Sequence, residues 1–211
     1  MSILLIGVVI LSFFNFFRPE VEKEPSVLNV DKAMESLVIV KHPMGGYGTG
    51  FVISEDGLMV TNNHVAEKFS QYGMDLRVSF KDGRKYTAKI IATKPSDDLA
   101  IARINSTDKF SALDLDDETL HKHQIYTLIG HGNLKYWKVK KIAYKSYDYF
   151  RKWELEFSPG IQPGDSGGPV LDDEGDVVGV GSAMSLDDKD SLVVPVKDIK
   201  DLLKESGIEY E

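Results

Sequence analysis

Apolar and polar residues along most of this chain fall into short runs rather than long periodic stretches. Ser36 to Val40, Tyr47 to Ser54, Leu58 to Thr61, Leu76 to Phe80, Lys85 to Thr93 and Leu99 to Ile104 form a first series. Gln124 to Ile129, Trp137 to Ala143, Trp153 to Phe157, Val177 to Gly181 and Leu192 to Val194 form a second. The runs are rich in β-branched residues and separated by turn formers such as Glu55-Asp56-Gly57 and Lys81-Asp82-Gly83. Many short runs at this spacing predict an all-β barrel or sandwich. The polar, acidic stretch Ser111 to Glu118 divides the two series and reads as a linker between two β modules of similar length. Helical spacing is clear at the end of the chain, where Val196, Ile199, Leu202 and Leu203 follow Pro195 and precede Gly207.

The first residues follow a different pattern. Ile3 to Phe17 is an uncharged apolar run of 15 residues, short of the roughly 20 that cross a bilayer comfortably. No basic residue precedes it, and Phe13, Phe14, Phe16 and Phe17 stand where the small residues of a signal cleavage site would be. Residues 1–18 are therefore expected to be an uncleaved membrane anchor, with a cleaved signal or a soluble segment as the alternatives. Pro19 to Pro25 is charged and proline-bounded, so residues 19–30 read as a tether. Arg18 after the apolar run would keep the folded region cytoplasmic by the positive-inside rule.

Charge and composition remove several function classes. A net charge of −8 argues against a general nucleic-acid binder, which needs a basic face. The basic-aromatic stretch Tyr136 to Lys145 reads instead as a strand with one wet face, its apolar positions being Trp137, Val139 and Ile142. The chain has no cysteine, which excludes disulfides, thiolate zinc sites and a cysteine nucleophile. His121-Lys122-His123 has no spaced third ligand and reads as a solvated turn; neither a metal nor another cofactor is expected.

The chemistry concentrates in Gly164-Asp165-Ser166-Gly167-Gly168-Pro169. Serine is a poor nucleophile unless a histidine takes its proton, a carboxylate orients that histidine, and backbone N–H groups face the developing oxyanion. A glycine-rich loop supplies such donors and lets substrate approach the backbone closely. Ser166 is then the candidate nucleophile, and the N–H groups of Gly164 and Ser166 the candidate oxyanion hole. Upstream, Thr61-Asn62-Asn63-His64-Val65-Ala66 follows an apolar strand, a hairpin's length after Gly48-Thr49-Gly50-Phe51-Val52-Ile53, and offers His64 as a general base. Asp97-Asp98-Leu99-Ala100-Ile101-Ala102 offers a carboxylate at the head of a buried strand.

These three blocks, in this order, resemble the trypsin-like peptidases of the chymotrypsin fold, and most closely the HtrA/Deg branch; the resemblance runs from about Ser36 to Gly207. It implies an all-β fold of two six-stranded antiparallel barrels with a C-terminal helix. The protease domain would span 31–207, with barrel one at about 31–110 and barrel two at about 118–195. It also implies His64 as base, Asp98 rather than Asp97 as orienting acid, and Ser166 as nucleophile. Gly175 to Val180 resembles the hairpin and strand after the nucleophile, and Ser191 to Pro195 with the closing helix resembles the end of the HtrA protease domain. Ile129-Gly130-His131-Gly132 resembles a glycine turn, which makes His131 a loop residue and not a second base. Gly160, Ile161, Gly181 and Met184 fall where relatives line the primary substrate pocket. Relatives commonly form homo-oligomers and work outside the cytoplasm, opposite to what Arg18 suggests. An animal relative would be expected to carry disulfides, so a bacterial or viral source fits better.

The sequence departs from the family pattern in three places. No PDZ module is expected to follow the protease-like region. No Ile-Val-Gly-Gly activation sequence is present to supply a freed terminus for Asp165, which is expected to be held by local hydrogen bonds. Gly160 stands where trypsin has an acid, so a cationic substrate side chain would lack a counter-charge; small or medium aliphatic residues are expected instead. The expectation is a serine endopeptidase that cleaves unfolded or flexible protein segments through an acyl-enzyme. The alternatives are a silent protease-like binding module and a dedicated viral or phage processing protease.

Overall fold

A computed structural model of the protein describes residues 28–42, 45–116, 120–131, 137–147, 155–184 and 190–210. The apolar segment 3–17 lies outside the described residues. Within them, no helix is long and apolar enough to cross a membrane.

A short helix, α1 (Val30–Met34), is capped by the Asn29 side chain, which accepts from Lys32 N–H at 3.1 Å. Six strands follow: β1 (Leu37–Lys41), β2 (Tyr47–Val52), β3 (Leu58–Asn62), β4 (Leu76–Phe80), β5 (Lys85–Lys94) and β6 (Leu99–Ile104). They close into a barrel in the order β1-β2-β3-β6-β5-β4. Helix α2 (Asn63–Gln71) interrupts the series directly after β3. The second barrel is built from β7 (Ile125–Gly130), β8 (Lys138–Tyr147), β9 (Leu155–Ser158), β10 (Pro169–Leu171), β11 (Val177–Met184) and β12 (Ser191–Pro195), in the order β10-β11-β12-β9-β8-β7. Helix α3 (Val196–Glu205) closes the fold. All pairings between the named strands are antiparallel; β3 with β6, β1 with β4, β12 with β9 and β10 with β7 join strands that are not consecutive in the chain.

The expected two-barrel all-β architecture is therefore present, and the strand runs match within a few residues. Two elements differ in extent. The turn expected at His64 is a nine-residue helix. The three-residue strand β10 was not anticipated, because Pro169 to Leu171 is too short to carry an alternating pattern.

Each barrel has its own core. Val38, Val52, Met59, Leu76 and Ala100 fill the first; Leu128, Ile142, Phe157, Val170 and Val193 fill the second. A third cluster joins them: Leu37, Phe51, Val60 and Ile101 from barrel one meet Ile129, Leu171, Val180 and Val194 from barrel two. Helix α3 seals this junction with Ile199, Leu202 and Leu203, each at most 3% exposed. Side chains of that size contribute about 1.5–3 kcal/mol each when fully buried. The barrels are thus locked together by apolar packing, which fixes the relative position of any residues facing each other across the junction.

The segment expected to be a polar linker is tied to both barrels. Leu113 N–H donates to Val52 C=O at 2.9 Å and its side chain is buried, while Asp116 N–H donates to Val177 C=O at 3.0 Å. Strand β8 also departs from the expected apolar face. Ile142 is fully buried, but Val139 is 43% exposed and Lys140 turns inward.

Candidate active site

Three segments converge where the barrels meet. The first is the start of α2. Asn63 N–H donates to Asp98 C=O at 3.0 Å, and His64 N–H donates to Asp98 Oδ1 at 3.0 Å. The carboxylate therefore satisfies one of the orphan N–H groups at the helix start. It also stands 2.8 Å from His64 Nδ1 through its other oxygen. Asp98 itself ends a 3-10 turn (Pro95–Asp97) in the left-handed region, with φ 51° and ψ 42°. That conformation is uncommon for a non-glycine residue, and its C=O is fixed further by Asn62 Nδ2 at 3.0 Å.

The second segment is the loop carrying Ser166, between β9 and β10. The carbonyls on and beside Ser166 are engaged. Gly164 C=O accepts from Thr49 Oγ1 at 2.7 Å, Asp165 C=O from Gly168 N–H at 2.9 Å, and Ser166 C=O from Thr49 N–H at 2.8 Å. The N–H groups of Gly164 and Ser166 donate to no group among the described residues. Gly167 has φ +86°, and a Cβ there would lie 2.0 Å from Thr49 C=O, so only glycine fits. Thr49 is buried on β2 and also accepts from His131 N–H at 3.0 Å.

The third segment is β11. Ser182 Oγ donates to Asp98 Oδ2 at 2.7 Å, and Ser182 C=O accepts from Ser166 Oγ at 2.9 Å. Ser182 thus links the barrel-two serine to the barrel-one carboxylate. Burial pushes the Asp98 carboxyl up, but hydrogen bonds from His64 and Ser182 and the charge on His64 outweigh it, leaving it below the usual carboxylate range. His64 is half exposed and Ser166 is half-buried, so the group is open to solvent and to a substrate.

Of the expected pocket residues, Gly181 is bonded to the serine loop. Its C=O accepts from Gly167 N–H at 2.8 Å and its N–H donates to Gly168 C=O at 2.9 Å. Ile161 is 2% exposed and packs with Phe157 and Val193 in the second core, and Gly160 precedes it at intermediate exposure. Met184 ends β11; its side chain lies outside the described residues. Ser191 Oγ donates to Pro159 C=O at 2.8 Å, which brings the buried Asp190, ion-paired to Lys145, close to the Gly160 segment. His131 lies in the loop directly after β7. It is 8% exposed and flanked by Tyr47 and Trp137, and loss of solvation pushes its imidazole below the usual histidine range.

Asp165 is fully buried beside Ser166. Its Oδ2 accepts from Gln162 N–H at 2.9 Å, the local bond expected, and is also ion-paired to Lys140 on β8. The sequence reading missed Ser182, Thr49 and Lys140. Thr49 lay inside a quoted motif without a role. Lys140 had one available signal, its place in a strand whose apolar Val139 alternates with it.

The fold and its polar centre together define a double-barrel architecture with its chemistry at the barrel junction. The chain belongs to the trypsin-like peptidase domain family, whose model matches residues 48–180. Among curated proteins it is 34% identical over 148 residues to a probable periplasmic serine endoprotease, DegP-like, of Bartonella henselae, covering 65% of this chain and 28% of that protein. A namesake from Chlamydia trachomatis is 35% identical over 144 residues with the same coverage. The chain therefore spans little more than a quarter of the length of these relatives. Among solved structures, Rv3671c of M. tuberculosis, as a serine-to-alanine mutant in its inactive form, superposes with a TM-score of 0.71 at 22% identity, covering 84% of this chain and 89% of that one. That likeness supports the fold.

Proposed function

We propose that the protein is a serine endopeptidase in which Ser166, His64 and Asp98 form the catalytic triad. The observation that carries this reading is the continuous hydrogen-bonded path across the barrel junction, from Ser166 through Ser182 to Asp98 and on to His64. Ser166 Oγ rests on the Ser182 carbonyl; for attack it gives up that bond and donates to His64 Nε2 instead. Oγ then attacks the scissile carbonyl while Nε2 takes its proton, and the N–H groups of Gly164 and Ser166 receive the oxyanion. Asp98 holds the proton on Nδ1 and stabilises the imidazolium. His64 next protonates the leaving amine, and water, activated by the same imidazole, releases the acyl group from Ser166.

A preference for small or medium aliphatic residues is supported by Gly160 and by the Lys145 ion pair that neutralises nearby Asp190. The curated relatives carry names that describe periplasmic endoproteases, which supports protein substrates and an extracytoplasmic location for this domain. Fluorophosphonate labelling of the purified protein, with Ser166→Ala as control, tests the reading. Labelling of the wild type alone is expected, and an unlabelled wild type refutes it. Labelling without casein cleavage would favour an enzyme dedicated to a single partner. A peptide-library profile dominated by Lys or Arg would overturn the aliphatic preference.

A further inference from the structure

The residue before Ser166 is a carboxylate with no access to water, and its ion-pair partner comes from a strand 25 positions upstream. Lys140 lies opposite Leu128 in the β7–β8 ladder, and its ammonium reaches Asp165 Oδ2. Lys138, two residues earlier, lies opposite Gly130 and donates to Gln162 Oε1 at 3.0 Å. Lys138 and Lys140 therefore hold both ends of the Gln162–Asp165 turn, which is closed by Asp165 N–H to Gln162 C=O at 2.9 Å. Gly130 makes the approach feasible: a Cβ there would stand 2.7 Å from Asp165 Cα. Asp165 Oδ1 has no hydrogen-bond partner among the described residues, so the carboxylate depends on Oδ2 contacts alone.

A buried carboxylate without its cation is strongly unfavourable. Its escape is to rotate toward solvent. Asp165 lies between Gly164 and Ser166, so that rotation would turn the two N–H groups proposed to receive the oxyanion. We propose that Lys140 is the built-in counter-ion that keeps the serine loop in its reactive form. The protein is then competent as folded, with no need for a freed chain terminus to pair with Asp165. Lys140 is a positioning residue: it touches neither substrate nor Ser166 and acts through Asp165. This inference rests on Ser166 being the nucleophile.

The test uses the full chain with Lys140→Met, Asp165→Asn and the double variant. Lys140→Met strands a charge in the interior, whereas Asp165→Asn leaves a lysine that can turn to water, and the double variant strands nothing. Lys140→Met is expected to lower kcat and the fluorophosphonate labelling rate about 100-fold with KM within about threefold, since transition-state donors are lost and not the binding surface. The double variant is expected to regain at least about tenfold over Lys140→Met, and Asp165→Asn, which also strands no charge, to label at least as well as the double variant. Lys140→Met labelling within about twofold of wild type, or a double variant no better than Lys140→Met, overturns the proposal. If Lys140→Met does not fold, the two variants without a stranded charge decide: labelling more than about tenfold below wild type in both Asp165→Asn and the double variant overturns it. An unlabelled wild type would refute the triad instead. The unfolding equilibria of the same four proteins then decide the pair, and a coupling below about fivefold refutes it.

Discussion

Thr49→Val is the most informative single change outside the proposed triad. Thr49 is fully buried, and its hydroxyl serves two main-chain groups at once, donating to Gly164 C=O at 2.7 Å and receiving His131 N–H at 3.0 Å. Valine keeps the shape and removes the hydroxyl, so both groups lose their partner with little change in packing. Each buried polar group left unpaired costs about 1–3 kcal/mol, so a loss of about 3 kcal/mol is expected. For a domain of this size that corresponds to a fall in Tm of about 6–12 °C. A catalytic effect should follow, because the Gly164 carbonyl is one of three that orient the loop and thereby aim the Gly164 N–H. A loss of about tenfold or more in labelling rate is expected. Thr49→Ser keeps the hydroxyl and should recover most of both losses. The assays are thermal or urea unfolding and fluorophosphonate labelling of the three proteins. The reasoning fails if Thr49→Val lies within about 0.5 kcal/mol of wild type and labels at the same rate, or if Thr49→Ser is no better than Thr49→Val.

Other outcomes follow from the same geometry. Asp98→Asn, which can no longer fix the His64 tautomer, should lower kcat about 10⁴-fold without unfolding the protein; Ser182→Ala should lower the labelling rate about tenfold, by removing one hydrogen bond to Asp98. Gly167→Ala should destabilise by more than about 3 kcal/mol, as its Cβ would meet Thr49 C=O at 2.0 Å in a left-handed backbone, and circular dichroism with unfolding curves would register it. Asp198, 5% exposed and near Asp97, is pushed up to about 6, first by burial and then by the Asp97 charge. Its folded form therefore binds a proton more tightly than the unfolded chain, so its contribution is most favourable below about pH 4 and is lost as pH rises through about 6. Allowing for screening by Lys197 and Lys94, the loss is about 1–3 kcal/mol. Wild type and Asp198→Asn compared in urea between pH 4 and 8 should differ in slope over that window; parallel curves would refute the assignment.

The sequence by itself determined the strand content, the presence of two β modules, the closing helix and the order of the three chemical blocks; that the modules are barrels came through the family resemblance. These features are local. Alternation of apolar residues dictates which side of a strand can be buried, helical spacing does the same for Ile199, Leu202 and Leu203, and the glycines of the serine loop permit a backbone that other residues resist. His64 and Ser166 could be singled out as candidates because each sits in a short segment whose residue types match what its proposed chemistry needs, whereas Asp98 was chosen over Asp97 through the family resemblance. The supporting contacts were not legible in this way. Ser182 meets Asp98 across 84 positions, Thr49 meets Gly164 across 115, and Lys140 meets Asp165 across 25. Such distances close only when the ladder register of each barrel is set and the apolar junction locks one barrel against the other. The same is true of Leu113, which sits in a stretch polar enough to read as a linker yet is held against Val52. Strand periodicity specifies which residues face inward, but not which inward residue of a distant strand will oppose them. The ion pair that holds Asp165, beyond its local bond to Gln162 N–H, was therefore decided by the tertiary structure: β8 pairs with β7 in the one register that carries the Lys140 ammonium to the buried carboxylate beside Ser166.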